Sequence, residues 1–169
     1  LMYWYGIEPL VPVDASRAMS LADASNIPLV KQHIIRRAAS ENETLKVVVA
    51  SLSQLEKANS QRLILDEMLK AFEGRVNIPM PANWIEAYER LSGSNNETVR
   101  QRADQVAVIL GDRRIFPRMR KLLLDEKTSL DKRKQALEIL VRGRDKQAVK
   151  AYQEVLTEPA LRGAALRAL

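Results

Sequence analysis

An all-α fold, a right-handed superhelix of stacked helix pairs, is predicted by three features of this sequence. Val99 to Leu123 lies over Lys132 to Leu156 without a gap at a shift of 33 residues, setting Ala103 on Ala136, Val106 on Ile139, Asp112 on Asp145, Met119 on Tyr152 and Leu123 on Leu156. A period of that length with two helical segments is the signature of an α-solenoid, in which each unit buries its apolar face against its neighbours. Elsewhere apolar residues recur three and four positions apart between Gly, Pro and Asp breaks, as helices require. With 46% hydrophobic and 28% charged residues in a chain of 169, the balance is globular and argues against disorder. The expected organisation is one domain over 1–169, with an irregular helical front half at 1–78 and regular helix pairs at 79–169.

The elements follow in order. Leu1 to Glu8 holds Tyr3, Trp4 and Tyr5 in a row, closed by Gly6 and Pro9, and reads as the last turns of a helix whose aromatics plug the core or, alternatively, form a ligand-stacking patch. Asp14 is placed to cap Ala15 to Ala24, with Ala18, Met19, Leu21 and Ala22 supplying its apolar side. Pro28 suits the first turn of a helix to about Ser40, with Leu29, Val30, Ile34, Ile35 and Ala38 on its buried stripe. The one histidine, His33, lies there beside Arg36 and Arg37; it reads as a surface or helix-bridging residue rather than as a ligand or a base. Glu41 to Lys57 carries Leu45, Val48, Val49, Leu52 and Leu55 at helical spacing. Asn59 or Ser60 is placed to cap the next helix, with Leu63, Ile64, Met68, Leu69 and Phe72 as its apolar set and Gly74 at its end. Arg75 to Pro81, with two prolines, is the clearest break.

Ala82 to Leu91 then sets Trp84, Tyr88 and Leu91 on one face, either core or a platform for a base or sugar. Asn95 or Asn96 opens the first matching unit, whose first helix runs to Leu110. Gly111 and Asp112 make its corner, and Pro117 should kink the second helix, Arg113 to Leu124, or shift its start. Ser129 to Arg142, a corner at Gly143 to Asp145, and Lys146 to Leu156 repeat the plan, and Pro159 begins a third unit. The apolar end Ala164 to Leu169 and a first residue other than Met suggest a segment of a longer polypeptide.

The net charge of +6 sits in the repeat: residues 99–169 hold 17 Lys and Arg against 9 Asp and Glu, or +8, and residues 1–98 hold 10 against 12, or −2. Such an excess reads either as an electrostatic footprint for nucleic acid or another polyanion, or as the solvated face of amphipathic helices. Arg114, Arg118 and Lys121 fall at i, i+4 and i+7, and Lys132, Arg133 and Lys134 begin the next helix. Arg114, Arg118, Lys121, Lys132 and Arg133 are therefore the candidate polyanion contacts, with Trp84 and Tyr88 the candidate stacking pair. The interspersed Asp112, Asp125, Glu126, Asp131 and Glu138 fit solubility and i,i+4 pairing better than a phosphate groove.

Enzyme chemistry finds little support. With no cysteine and one histidine there is no disulfide, thiolate metal site, Cys–His pair or multi-histidine centre. No phosphate-cradling glycine motif is present. The carboxylate pairs Asp66–Glu67 and Glu86–Glu89 are placed on polar helix faces, unsuited to acid–base work. A repeat-built glycosylase, with Trp84 or Tyr88 lining a pocket beside a carboxylate, is the remaining enzymatic alternative. No run reaches the 18 or so apolar residues of a membrane span, so no membrane insertion is expected. Catalytic, cofactor-binding and metal-ligating residues are all expected to be none.

Two stretches carry a family resemblance. Leu110-Gly111-Asp112-Arg113-Arg114 through Leu124, and Glu158-Pro159-Ala160-Leu161-Arg162 onward, are similar to HEAT/armadillo-like repeats. Trp4-Tyr5-Gly6-Ile7-Glu8-Pro9-Leu10 followed by Asp14, and Ile27-Pro28-Leu29-Val30 followed by Ile35-Arg36-Arg37, resemble the helical segment of multidomain bacterial membrane-bound dehydrogenase-like or haem-binding CxxCH proteins. That resemblance implies a β-propeller before this segment and a cytochrome c domain after it, all exported to the periplasm or beyond. Haem c would then lie elsewhere in the parent protein and no cofactor in this segment. The segment itself would be a non-catalytic scaffold or connector whose partners are neighbouring domains or another protein.

Overall fold

The computed structural model describes residues 2–75 and 77–169, and the side chains of Met2 and Tyr3 lie outside the description, as does the part of the aromatic reading that rests on Tyr3. Eleven α-helices and no strand occur among the described residues, so the fold is all-α. They are α1 (Met2–Ile7), α2 (Ala15–Ala24), α3 (Pro28–Ala39), α4 (Asn42–Gln54), α5 (Ala58–Ala71), α6 (Trp84–Ser92), α7 (Glu97–Ile109), α8 (Phe116–Leu124), α9 (Leu130–Arg142), α10 (Val149–Glu154) and α11 (Pro159–Ala168). Short 3-10 turns precede α8 and α10 and follow α1 and α10. The chain forms two compact units, 1–106 and 107–169.

In the first unit α3 is central, packing against α2, α4 and α5, while α4 also carries α6. Local signals position these helices. The Asp14 carboxylate accepts the Arg17 N–H at 2.9 Å and starts α2, and Pro28 occupies the first turn of α3. Ile34, Ala38, Leu45, Val48, Leu52 and Leu65 form the buried interior. Trp4 stacks on His33 at 5.1 Å between ring centroids, so the histidine bridges α1 and α3.

Three boundaries differ from the sequence-based expectation. α4 stops at Gln54, because Leu55 turns to extended backbone and its carbonyl accepts the Gln61 side-chain amide at 2.7 Å. α5 starts at Ala58, before Asn59 and Ser60, with no side-chain cap. The position 78/79 lies inside the first unit: Ile78 is buried, and the Asn83 amide donates to the Lys46 carbonyl at 2.8 Å, fastening the proline-rich connection to α4.

In the second unit α9 packs against α8 and α11, and α10 against α8 and α11. The 33-residue shift is reproduced element by element: α7 maps onto α9, the 3-10 turn Arg113–Ile115 onto Lys146–Ala148, and the starts of α8 and α10 coincide. Each corner is a Schellman motif. The Asp112 N–H bonds the Ala107 carbonyl at 2.8 Å and the Asp145 N–H that of Leu140 at 3.0 Å, with Gly111 (φ 74°) and Arg144 (φ 51°) in the left-handed region. Each Asp side chain then caps the 3-10 turn, accepting the Arg114 and Gln147 N–H at 3.1 Å. Pro117 lies in the first turn of α8 and does not interrupt the helix interior. Since α10 breaks at the same place with Lys150 there, the aspartate cap and not the proline sets the break.

Gly143 therefore serves packing, not turn geometry, because the left-handed position of its corner belongs to Arg144. A Cβ at 143 would lie 2.5 Å from Cε1 and Cζ of the buried Phe116 ring. Gly143→Ala should thus lower stability by about 1–2 kcal/mol, a modest overpacking effect. Phe116→Val, the residue of the matching position 149, should recover most of that loss in the double variant. Denaturant unfolding of the two singles and the double checks this, and strictly additive losses would contradict it.

Candidate functional site

The five candidate cations do not form one exposed row. Arg114 lies in the 3-10 turn before α8, so the helical spacing to Arg118 and Lys121 does not hold. Its guanidinium folds back on Asp112, with Nε to Oδ1 at 2.9 Å and Nη2 to Oδ2 at 2.6 Å. Arg118 is exposed and Lys132 half-buried, and both have partners; Lys121 is exposed.

Arg133 does not offer its guanidinium to solvent as a polyanion contact would, because it is buried. Its Nε donates to the Leu123 carbonyl at 2.7 Å, and Nη1 and Nη2 donate to the two Glu158 carboxylate oxygens at 2.9 and 2.5 Å. This paired geometry commits three of the guanidinium's five N–H donors, one from each nitrogen, to partners within the fold. It also satisfies a carbonyl at the end of α8 that the helix itself leaves open. Arg120 on α8 pairs with the buried Asp145.

The stacking reading of Trp84 and Tyr88 is likewise corrected. Trp84 is fully enclosed and Tyr88 buried, their rings 5.9 Å apart and tilted by 32°. The Tyr88 hydroxyl donates to Asp104 at 2.8 Å, tying α6 to α7 within the first unit. A surface for a free base or sugar is not formed by these rings.

Two polar sites escaped the sequence reading. Glu67, placed on a polar face, is buried and bracketed by Arg36 at 2.7 Å and Lys70 at 2.7 Å. Its register between Ile64 and Met68 was the available signal, since those residues mark the inner face of α5. Asp66 does face outward and meets Arg102 at 2.7 Å. The second site is a cleft of about 370 Å³ between α2, α3, α4 and α5, with Met19, Ile35 and Ile64 toward its apolar side and Ser16, Ser51 and Lys31 among its polar groups. The Lys31 ammonium donates to the Asp23 carbonyl at 3.1 Å. The space arises from small residues such as Ala22, Ala50 and Ser51 at packing positions, which produce no motif.

Of the ionisable groups, the Tyr152 hydroxyl is raised above the ordinary phenol value, first by burial and second by the Asp145 carboxylate. Its neutral form favours the fold below the unfolded-state pKa, and that contribution is lost as pH rises through the folded one. No cluster of three or more metal-ligating side chains occurs among the described residues, and no described helix is long and apolar enough to cross a membrane. Compared with models of known families, with curated proteins and with solved structures, the chain matches none.

Proposed function

We propose that this chain is a non-catalytic helical-repeat scaffold, its helix pairs continuing as a right-handed HEAT-like superhelix that holds neighbouring domains and offers a protein-docking surface. The observation that carries the reading is the engagement of the repeat's charges within the fold. Arg133 clamps Glu158 and the end of α8, Arg120 holds Asp145, and Arg114 closes on its own cap. Side chains so held build corners and interfaces, whereas a phosphate-binding groove needs cations directed at a ligand. The opening motifs around Trp4 and Ile27 add the specific proposal of a connector between a propeller dehydrogenase-like domain and a cytochrome c domain, in an exported parent protein.

Fluorescence anisotropy with labelled duplex DNA at low salt tests the scaffold reading against the polyanion one. The expected result is no saturable binding in the range where non-specific DNA-binding proteins associate, a Kd of about 10⁻⁴ to 10⁻⁶ M at physiological salt. Tighter binding that falls steeply with salt would overturn it. The connector proposal is tested by the coding sequence of the parent gene, which should encode a propeller upstream and CxxCH downstream; other neighbours would overturn that part alone.

A further inference from the structure

The first helix of each successive unit carries an arginine that bonds a carbonyl at the end of the preceding segment. Arg100 Nη1 donates to Ser94 O at 2.5 Å, Arg133 Nε to Leu123 O at 2.7 Å, and Arg162 Nε to Leu156 O at 2.7 Å. Arg100 and Arg133 are 33 residues apart, as are the acceptors Leu123 and Leu156. Arg162 follows Arg133 by 29, because Asp125–Ser129 connects α8 to α9 whereas Glu158 alone precedes α11. This register superposes Ala103, Ala136 and Ala165, all fully buried, and identifies α11 as the first helix of a third unit.

In the same register Leu166 stands where Leu137 stands, and Leu169 where Leu140 stands. Leu137 and Leu140 are buried, whereas Leu166 and Leu169 are 57% and 55% exposed. Val149 repeats the pattern one helix earlier. Its counterpart Phe116 is buried against Gly143 at the end of α9, yet Val149 is 44% exposed. α9 packs against α8 and α11; α11 packs against α10 as α9 does against α8, and no described helix stands to α11 as α11 stands to α9.

We propose that Val149, Leu166 and Leu169 form a docking face for a further amphipathic helix pair on the plan of α10 and α11. The occupant follows from continuity with the α9–α11 interface. Its apolar stripe would cover Leu166 and Leu169, whose counterparts Leu137 and Leu140 are buried. Apolar side chains exposed at repeat positions that are otherwise buried are what a stacked array leaves for its next unit. The inference deepens the scaffold reading and rests on it, naming the surface and the chemistry of its partner.

The chain contains no cysteine, so a single introduced thiol reports on one position. The test compares thiol-labelling rates of Leu166→Cys in the 169-residue chain and in the same chain lengthened after Leu169 by a copy of residues 141–169, which continues the register. Leu137→Cys is the protected reference, with Leu140→Cys used if Leu137→Cys loses helical circular dichroism. Leu166→Cys should label quickly in the 169-residue chain and about tenfold or more slowly in the lengthened one, since thiol reactivity follows access. A reactive Leu166→Cys in the lengthened chain, beside a protected reference, would overturn the docking face and leave the scaffold standing. Protection of Leu166→Cys already in the 169-residue chain would also overturn the docking face. A reference thiol as reactive as Leu166→Cys would overturn the helix-pair packing, and the scaffold reading with it.

Discussion

Replacing Arg133 by alanine is expected to destabilise the chain by about 3 kcal/mol, a loss typical of breaking a buried ion pair by removing one partner. Arg133 is buried and makes three hydrogen bonds, two to Glu158 and one to the Leu123 carbonyl. Its removal leaves that carbonyl at the end of α8 without its donor and Glu158 without its counter-charge. The Glu158 side chain is only one-third exposed, so water relieves part of the cost and not all of it. Arg162 supplies the internal comparison. It makes the equivalent bond to Leu156 but is exposed, and Arg162→Ala should fall within the small range of surface substitutions. Denaturant unfolding of both variants measures the difference, and equal midpoints would mean that Arg133 is not the clamp its contacts describe. A second readout separates a clamp from a ligand contact: Arg133→Lys keeps the charge yet loses the bidentate fork, and should recover only part of the stability.

How far the sequence was legible depends on whether a feature is local. Asp14 before Ala15, Pro28 at a helix start, and the paired Asp112 and Asp145 act through their own backbone neighbours, and each starts an element where the residues indicate. Features that depend on what packs opposite were read less well. Gly143 looked like a turn glycine, but its role is set by the Phe116 ring on another helix. Glu67 looked solvated because glutamate usually is, and the deciding fact is Arg36, 31 residues earlier in the chain. The cations of the repeat were legible as an excess of charge and not as contacts, because Arg133 and Glu158 meet across 25 residues that no helical period relates. Trp84 and Tyr88 were correctly placed on one face, and only packing shows that this face is enclosed.

Leu123→Ala should cost about 2–5 kcal/mol, the range for truncating a fully buried leucine. Leu123 is completely enclosed on α8, which faces α9, the closest-packed pair of helices in the second unit. The substitution keeps the backbone carbonyl that Arg133 bonds, so its effect isolates packing from the clamp. The expected position of the loss within that range depends on how far α9 can settle into the vacated volume, since residual cavity adds to the transfer term. Arg120, three residues earlier, is the counterpart measurement. It pairs with buried Asp145, so Arg120→Ala should cost about 1 kcal/mol and not zero. Asp145 keeps the Gln147 N–H after that change, which limits the loss. Chemical denaturation of the two variants should therefore show Leu123→Ala several-fold more damaging than Arg120→Ala. Equal losses would place the inner face of α8 on the wrong side, and with it the register that relates α8 to α10.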